Sequence, residues 1–357
     1  MLLWGPARTI PIPLFSWVSK MYLRILSVFV AILSVTWLSP LSNGQSPVDD
    51  PTLRLRSDLV LVDVLPMQKQ TGHIVNGLNR DDFTIFEDGV KQTVSHFSRE
   101  KLPVSLVLLV DRAGCVNPFD DKIRAAMIKA LGNLKPDDEV AIMTFSSKVA
   151  LVQPFTRDRK LIAEKIVNVE HQHQSEQHYF NAAIYEASEY LRKSANPTGR
   201  RAIVALTSLE ASIDFSKVSE QEALLSVLES GAVVSGLLVK TIGGRIDQGI
   251  RGKPTSFLRH LGLRSGSLRM FVTETGGELA GATPDEIDAT LNRMVDNIAT
   301  SYALAYAPTN TANDGKRRRI RVDLSSDVEK REGKVVLHAR RSYVMAPSST
   351  QKAVSRQ

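Results

Sequence analysis

Three side chains have the types from which a reactive centre is usually built: Asp111, Cys115 and His178. Cys115 is the only cysteine in the chain. A thiolate beside an imidazole is a nucleophile, and the same groups with a carboxylate suit a softer metal such as zinc. Either use demands several groups converging on one point. A single thiol and no recognisable oxyanion loop count against it, and the blander reading is a small buried cysteine. His171, His173 and His178 fall in one polar stretch; such tracts specify geometry loosely, so the stretch reads as an exposed loop. Arg317, Arg318 and Arg319 suggest an anionic partner. At the start of a strand, where alternate side chains face solvent, they read instead as a charged edge that discourages strand aggregation. Gly276-Gly277 lacks a following lysine and serine, so it predicts a turn rather than a phosphate loop.

These residues must be positioned by secondary structure, and the pattern changes twice along the chain. Leu59–Leu65, Phe83–Phe86 and Thr93–Phe97 alternate and are broken by Gly72, Gly77 and the Glu87-Asp88-Gly89 turn, which predicts a small β unit. After Pro103, near-continuous apolar runs alternate with amphipathic helices, as in parallel sheets buried on both faces. Strands are predicted over Val104–Val110, Val140–Phe145, Val149–Phe155, Ala202–Thr207 and Ala232–Val239, with a short one near Glu278–Ala280. Val140–Phe145 and Val149–Phe155 read as a hairpin, so one strand runs antiparallel near the sheet edge. Helices are predicted over Lys160–Val169, Phe180–Leu191, Glu220–Leu228 and Ile287–Ile298, and after Asp120-Asp121, which suit a helix start. The result is an α/β, doubly wound, mostly parallel sheet of Rossmann-like type. Lys240–Leu268, rich in glycine and arginine, reads as a mobile loop. β patterning returns in Tyr302–Ala307, Ile320–Leu324 and Val335–Ala339, and the two flanking segments are expected to meet as a small β-sandwich.

The first 44 residues carry three positive charges, no negative charge and the apolar run Ile25–Leu38. This is the order of an export signal, with Met21 as a second candidate start. The run is short for a membrane span, so a cleaved signal is expected, with an uncleaved anchor as the alternative. Removing those charges from the formal +7 leaves +4, too diffuse to indicate a nucleic-acid partner. One cysteine excludes an intrachain disulfide. The predicted layout is a signal or anchor over 1–44, an N-terminal β segment over 51–101, an α/β domain over 102–300, a C-terminal β extension over 301–345 and a disordered tail over 346–357.

Asn76-Gly77-Leu78-Asn79-Arg80-Asp81-Asp82-Phe83 with Phe86-Glu87-Asp88-Gly89, the strand ending at Asp111, Thr275-Gly276-Gly277 and Tyr302-Ala303-Leu304-Ala305-Tyr306-Ala307-Pro308 together resemble the von Willebrand factor A-related exported proteins abundant in acidobacteria. Asp314-Gly315-Lys316 and Ala339-Arg340-Arg341-Ser342-Tyr343 resemble the family's closing pattern. In typical members a divalent cation is held at the carboxyl ends of the strands by an Asp-x-Ser-x-Ser loop, a threonine and a further aspartate. All of these are hard oxygen ligands.

By that resemblance the first loop is Asp111-Arg112-Ala113-Gly114-Cys115, with a methyl and a thiol in place of two serine hydroxyls. The threonine position falls at His178 and the second aspartate position at Ser208. The resemblance therefore implies a degenerate adhesion site at Asp111, Ala113, Cys115, His178 and Ser208, with no cofactor, magnesium and manganese included. The expected function is an exported, non-enzymatic, adhesion-type protein-binding module of the periplasm, envelope or exterior. Its partner is a protein and not nucleic acid, and residues 25–38 form a membrane tether if uncleaved. The competing reading is an envelope hydrolase or soft-metal site using Cys115 and His178.

Overall fold

The computed structural model describes residues 59–100, 102–113, 120–167, 177–196, 199–240, 265–312 and 314–344, all within the compact unit Ser57–Gln357. The segments expected as leader (1–44) and tail (346–357), together with Cys115, His171, His173 and residues 241–264 of the basic stretch, lie outside them.

Four strands open the described chain: β1 (Val60–Gln68), β2 (Phe83–Glu87), β3 (Val90–Gln92) and β4 (Val94–Ser98). The β2–β3 hairpin turns on Asp88 and Gly89, whose φ angles of 46° and 87° are both positive. A two-residue hairpin loop requires this, and Asp-Gly supplies it cheaply.

The middle of the chain alternates strand and helix: β5 (Val104–Asp111), α1 (Asp120–Ala130), β6 (Glu139–Phe145), β7 (Val149–Thr156), α2 (Arg159–Val167), α3 (Phe180–Leu191), β8 (Arg200–Thr207), β9 (Ala211–Ile213), α4 (Glu220–Ser230), β10 (Val233–Val239), β11 (Ser265–Ser267), α5 (Leu268–Thr275), β12 (Leu279–Ala282) and α6 (Ile287–Thr300). Six strands form one sheet in the order β12-β10-β8-β5-β6-β7, parallel except for the edge strand β7. β5 alternates its side chains between two cores. Leu106, Leu108 and Val110 pack with Ile123, Ile162 and Leu291 from one helical layer, while Val107 and Leu109 pack with Ile184, Val227 and Phe271 from the other. Burial on both faces is why these strands read as unbroken apolar runs.

The chain then returns to β structure with β13 (Tyr302–Tyr306), β14 (Arg317–Leu324), α7 (Ser326–Glu332), β15 (Val335–Ala339) and β16 (Ser342–Val344). β1 pairs antiparallel with both β13 and β15, and β2 with β14, giving two four-stranded sheets, β15-β1-β13-β4 and β16-β14-β2-β3. Their shared core contains Val62, Val64, Ile85, Tyr302, Leu304 and Ile320. The two flanks therefore close on each other as a β-sandwich.

Two expectations need correction. The run Arg317–Arg319 alternates exposed, buried, exposed as expected but is not a free edge: it pairs with β16, β14 meets β2 from Ile320 onward, and Arg318 is buried with its guanidinium on Asp314 Oδ1 and Ala312 O, both at 3.0 Å. The stretch Lys240–Leu268 is not loop to its end, because Ser265–Ser267 pairs with β9 and Leu268 opens α5. A short ribbon in polar sequence carries almost no periodic signal. The strand expected over Thr93–Phe97 is β4, at the edge of the sheet that holds β1 and β13, while the neighbouring β3 pairs with β2 in the other sheet.

Candidate functional site

β5 ends at Asp111, whose carboxylate follows an apolar run and is completely buried. β8 runs parallel beside it with Val110 opposite Leu206, which sets Thr207 next to Asp111. β6 leaves β5 on one side and β8 joins it on the other, so this pair of strand ends is where the winding direction reverses. Open α/β sheets bind ligands at such a point.

A carboxylate taken wholly out of water must be satisfied by hydrogen bonds. Asp111 Oδ1 accepts the backbone N–H of Ala113 at 2.9 Å. Oδ2 accepts the Thr207 hydroxyl at 2.5 Å and lies 2.6 Å from His178 Nδ1. An ionised carboxylate only accepts, so the imidazole proton facing it sits on Nδ1. His178 is 5% exposed, which corrects the exposed-loop reading for that residue. Its ring lies nearly parallel to Phe180, with centroids 6.2 Å apart. Its carbonyl accepts the Ser212 hydroxyl at 2.6 Å, and the adjacent Tyr179 N–H donates to Ser146 O at 3.0 Å. Thr207 Oγ1 in turn accepts the Leu209 N–H at 3.2 Å.

A second buried carboxylate, Asp214, stands at the start of α3. Its Oδ2 accepts the Asn181 N–H and its Oδ1 the Ser216 N–H, both at 2.8 Å. Negative charge at a helix N-terminus is favourable. The β9–β11 ribbon packs against it so closely that a Cβ on Gly266 would stand 3.0 Å from Asp214 Oδ2 and 3.0 Å from Phe180 Cβ.

Of the residues singled out from the sequence, Asp111 and His178 are in direct contact and Ala113 joins them through its backbone. Ser208 is fully buried next to Thr207. Cys115 lies outside the described residues. Sequence reasoning missed Thr207, Ser212 and Asp214. Thr207 was detectable as a hydroxyl ending a buried strand that neighbours β5, and Asp214-Phe215-Ser216 as an Asp whose side chain can bond two residues onward.

Residues 106–210 match the family model of the von Willebrand factor type A domain. The chain contains a von Willebrand factor type A-related domain. The match begins in β5 and ends just after β8, so it spans Asp111, His178 and Thr207. No curated protein matches the sequence. Among solved structures, proximal thread matrix protein 1 from the mussel byssus is similar at 10% identity and TM-score 0.43, covering 56% of this chain and 49% of that one. An aerotolerance-related membrane protein from Bacteroides fragilis is similar at 17% identity and TM-score 0.40, covering 55% of this chain and 98% of that one. The PilB minor pilin of Streptococcus sanguinis is similar at 11% identity and TM-score 0.38, covering 57% and 63%. This chain thus spans about half the length of the mussel protein. Among the described residues, no helix of the A domain or its flanks is long and apolar enough to cross a membrane.

Proposed function

We propose that this protein is an exported, non-enzymatic protein-binding module whose A-type site operates without a metal ion, with His178 standing on the carboxylate that would otherwise face the cation. The observation that carries this reading is the occupation of both Asp111 oxygens by Ala113 N–H, Thr207 Oγ1–H and His178 Nδ1–H. Magnesium requires near-octahedral oxygen coordination. Here the first loop offers a methyl at Ala113, the next position offers a nitrogen donor that competes for Asp111, and Ser208 offers no carboxylate. The donor set does not fit the ion. An internal hydrogen-bonded network takes over the task of tying the strand ends together, and the partner is met at that end of the sheet.

We read residues 1–44 as an export leader, which assigns the protein to the periplasm, envelope or exterior with the A domain taken as 102–300. A-type domains generally bind proteins, which favours a protein partner. The test is thermal unfolding in millimolar magnesium against chelator. A ligand bound only by the native state raises the midpoint by mass action. Identical midpoints are expected, and a magnesium-dependent rise abolished by Asp111→Ala would overturn the reading.

One observation favours the competing view. Asp111 on His178 Nδ1 is the orienting half of a nucleophile–base–carboxylate arrangement. Cys115→Ala separates the two: a thiol hydrolase loses turnover of an activated ester, whereas a binding module is unchanged.

A further inference from the structure

Away from the A-domain site, β14 carries Arg317, Arg319 and Arg321 on one outward face of the sandwich. They border a concavity of about 400 Å³ together with Phe86, Glu274 and Arg341. Arg341 is brought there by the sheet: its carbonyl accepts the Ile320 N–H at 2.7 Å, and its own N–H donates to Glu274 O at 2.9 Å. We propose that this face docks an extended acidic segment of a protein partner, with carboxylates at alternate positions.

Glu274 is the one acid in the concavity, and it is already engaged, by Arg317 at 3.3 Å and by the Ser342 hydroxyl at 3.2 Å. Arg321 lies over the Phe86 ring at 4.2 Å and pairs with Asp323 at 2.9 Å, so its charge is already engaged. Arg319 and Arg341 are both exposed, and among the described residues neither guanidinium has a hydrogen bond or ion pair. Two forked cations therefore face solvent in a concave site whose other charges are balanced.

The ligand class follows from number and spacing. Counting exposed Lys91 on the neighbouring strand and Asp88 in the hairpin turn, five cations face three acids. That excess is small for a polyphosphate, which needs many phosphates neutralised. It suits a short acidic motif of the kind arginine clusters recognise. Alternate residues of β14 stand about 6.6–6.8 Å apart, the repeat of alternate side chains on an extended peptide. Guanidinium forks donate to carboxylates in two-point contact. The proposal rests on the reading of the chain as a protein-binding module, but it concerns a face remote from Asp111.

The test is fluorescence anisotropy of the full chain with a short labelled peptide alternating glutamate and glycine. Oligothymidylate and a heparin fragment serve as competing probes. Saturable binding of the glutamate peptide, weakened by salt and about ten-fold or more by the double variant Arg319→Glu/Arg341→Glu, is expected. The milder Arg319→Gln/Arg341→Gln pair should give a smaller loss in the same direction, and Lys165→Glu on α2 no loss. No binding of the peptide, binding indifferent to Arg319 and Arg341, or preference for oligothymidylate or heparin would each overturn the proposal. None of those outcomes involves a metal, so failure here is distinct from failure of the metal-free reading, which is scored by the magnesium dependence of unfolding.

Discussion

Arg200 on β8 reaches Asp63 on β1 at 3.3 Å, joining the base of the A-domain sheet to the sandwich. The guanidinium is buried, and its remaining nitrogens donate to the carbonyls of Ala299 at 2.8 Å, Ile298 at 3.2 Å and Ser301 at 2.5 Å. These are the orphan acceptors at the end of α6, where a cation also suits the helix dipole. One side chain thus satisfies three carbonyls and a carboxylate in the interface. Arg200→Ala removes this donor from all of them, leaving Ile298 O only the Ser301 hydroxyl at 3.4 Å, and should destabilise the protein by about 3–5 kcal/mol. Urea unfolding measures this, and Arg200→Lys should recover only part of the loss.

In the sandwich core, Glu87 accepts the hydroxyls of Tyr306 at 2.7 Å and Tyr343 at 2.9 Å. Burial first, and then the Glu87 carboxylate, push both phenols well above their ordinary value of 10.0. The folded state therefore keeps these protons after the unfolded chain has released them. Their stabilising contribution is fully present below about pH 10 and declines as pH rises above it. The unfolding midpoint should fall through the alkaline range, and less steeply in Tyr306→Phe. An equal slope in the two proteins would remove this account.

Gly276 ends α5 at φ 79°, and a Cβ there would meet the Ala339 carbonyl carbon at 2.2 Å and Arg340 N at 2.4 Å. Backbone strain and backbone contact act together. Gly276→Ala should cost at least about 1–3 kcal/mol from conformation alone. The comparison is with Gly132→Ala, where a Cβ meets nothing within 4 Å.

The Asp111 network predicts its own mutational pattern. Thr207→Val and His178→Ala each remove a donor from a fully buried carboxylate. Each should cost about 1.5–3 kcal/mol. The double variant should fall short of or exceed the sum, because both donors share Oδ2. Strict additivity in a denaturant series would mean that the two contacts are independent.

Much of this was readable from the residues, and the failures share a cause. β5, β8 and β10 declared themselves as apolar runs, and Asp111 as the carboxylate ending one of them. The pairing of the flanks was anticipated from the return of β patterning after Thr300 and is made by β1 with β13. Thr207 is visible as a hydroxyl ending a buried strand, but its role depends on β8 lying beside β5, a pairing that no residue pattern states. Arg318 escaped because its burial depends on Asp314 and on the Ala312 carbonyl, contacts between positions that a charge run does not reveal. α7 has a single fully buried side chain, Val328, and so offers no helical stripe to read.

Titration calorimetry of the purified chain with magnesium and manganese, beside Asp111→Ala and His178→Ala, addresses the metal-free site most directly. The wild-type protein is predicted to give no saturable heat with either ion, and Asp111→Ala to be indistinguishable from it. Saturable binding by the wild type that disappears in Asp111→Ala would contradict the account, because it would mean that the cation displaces His178 from the carboxylate.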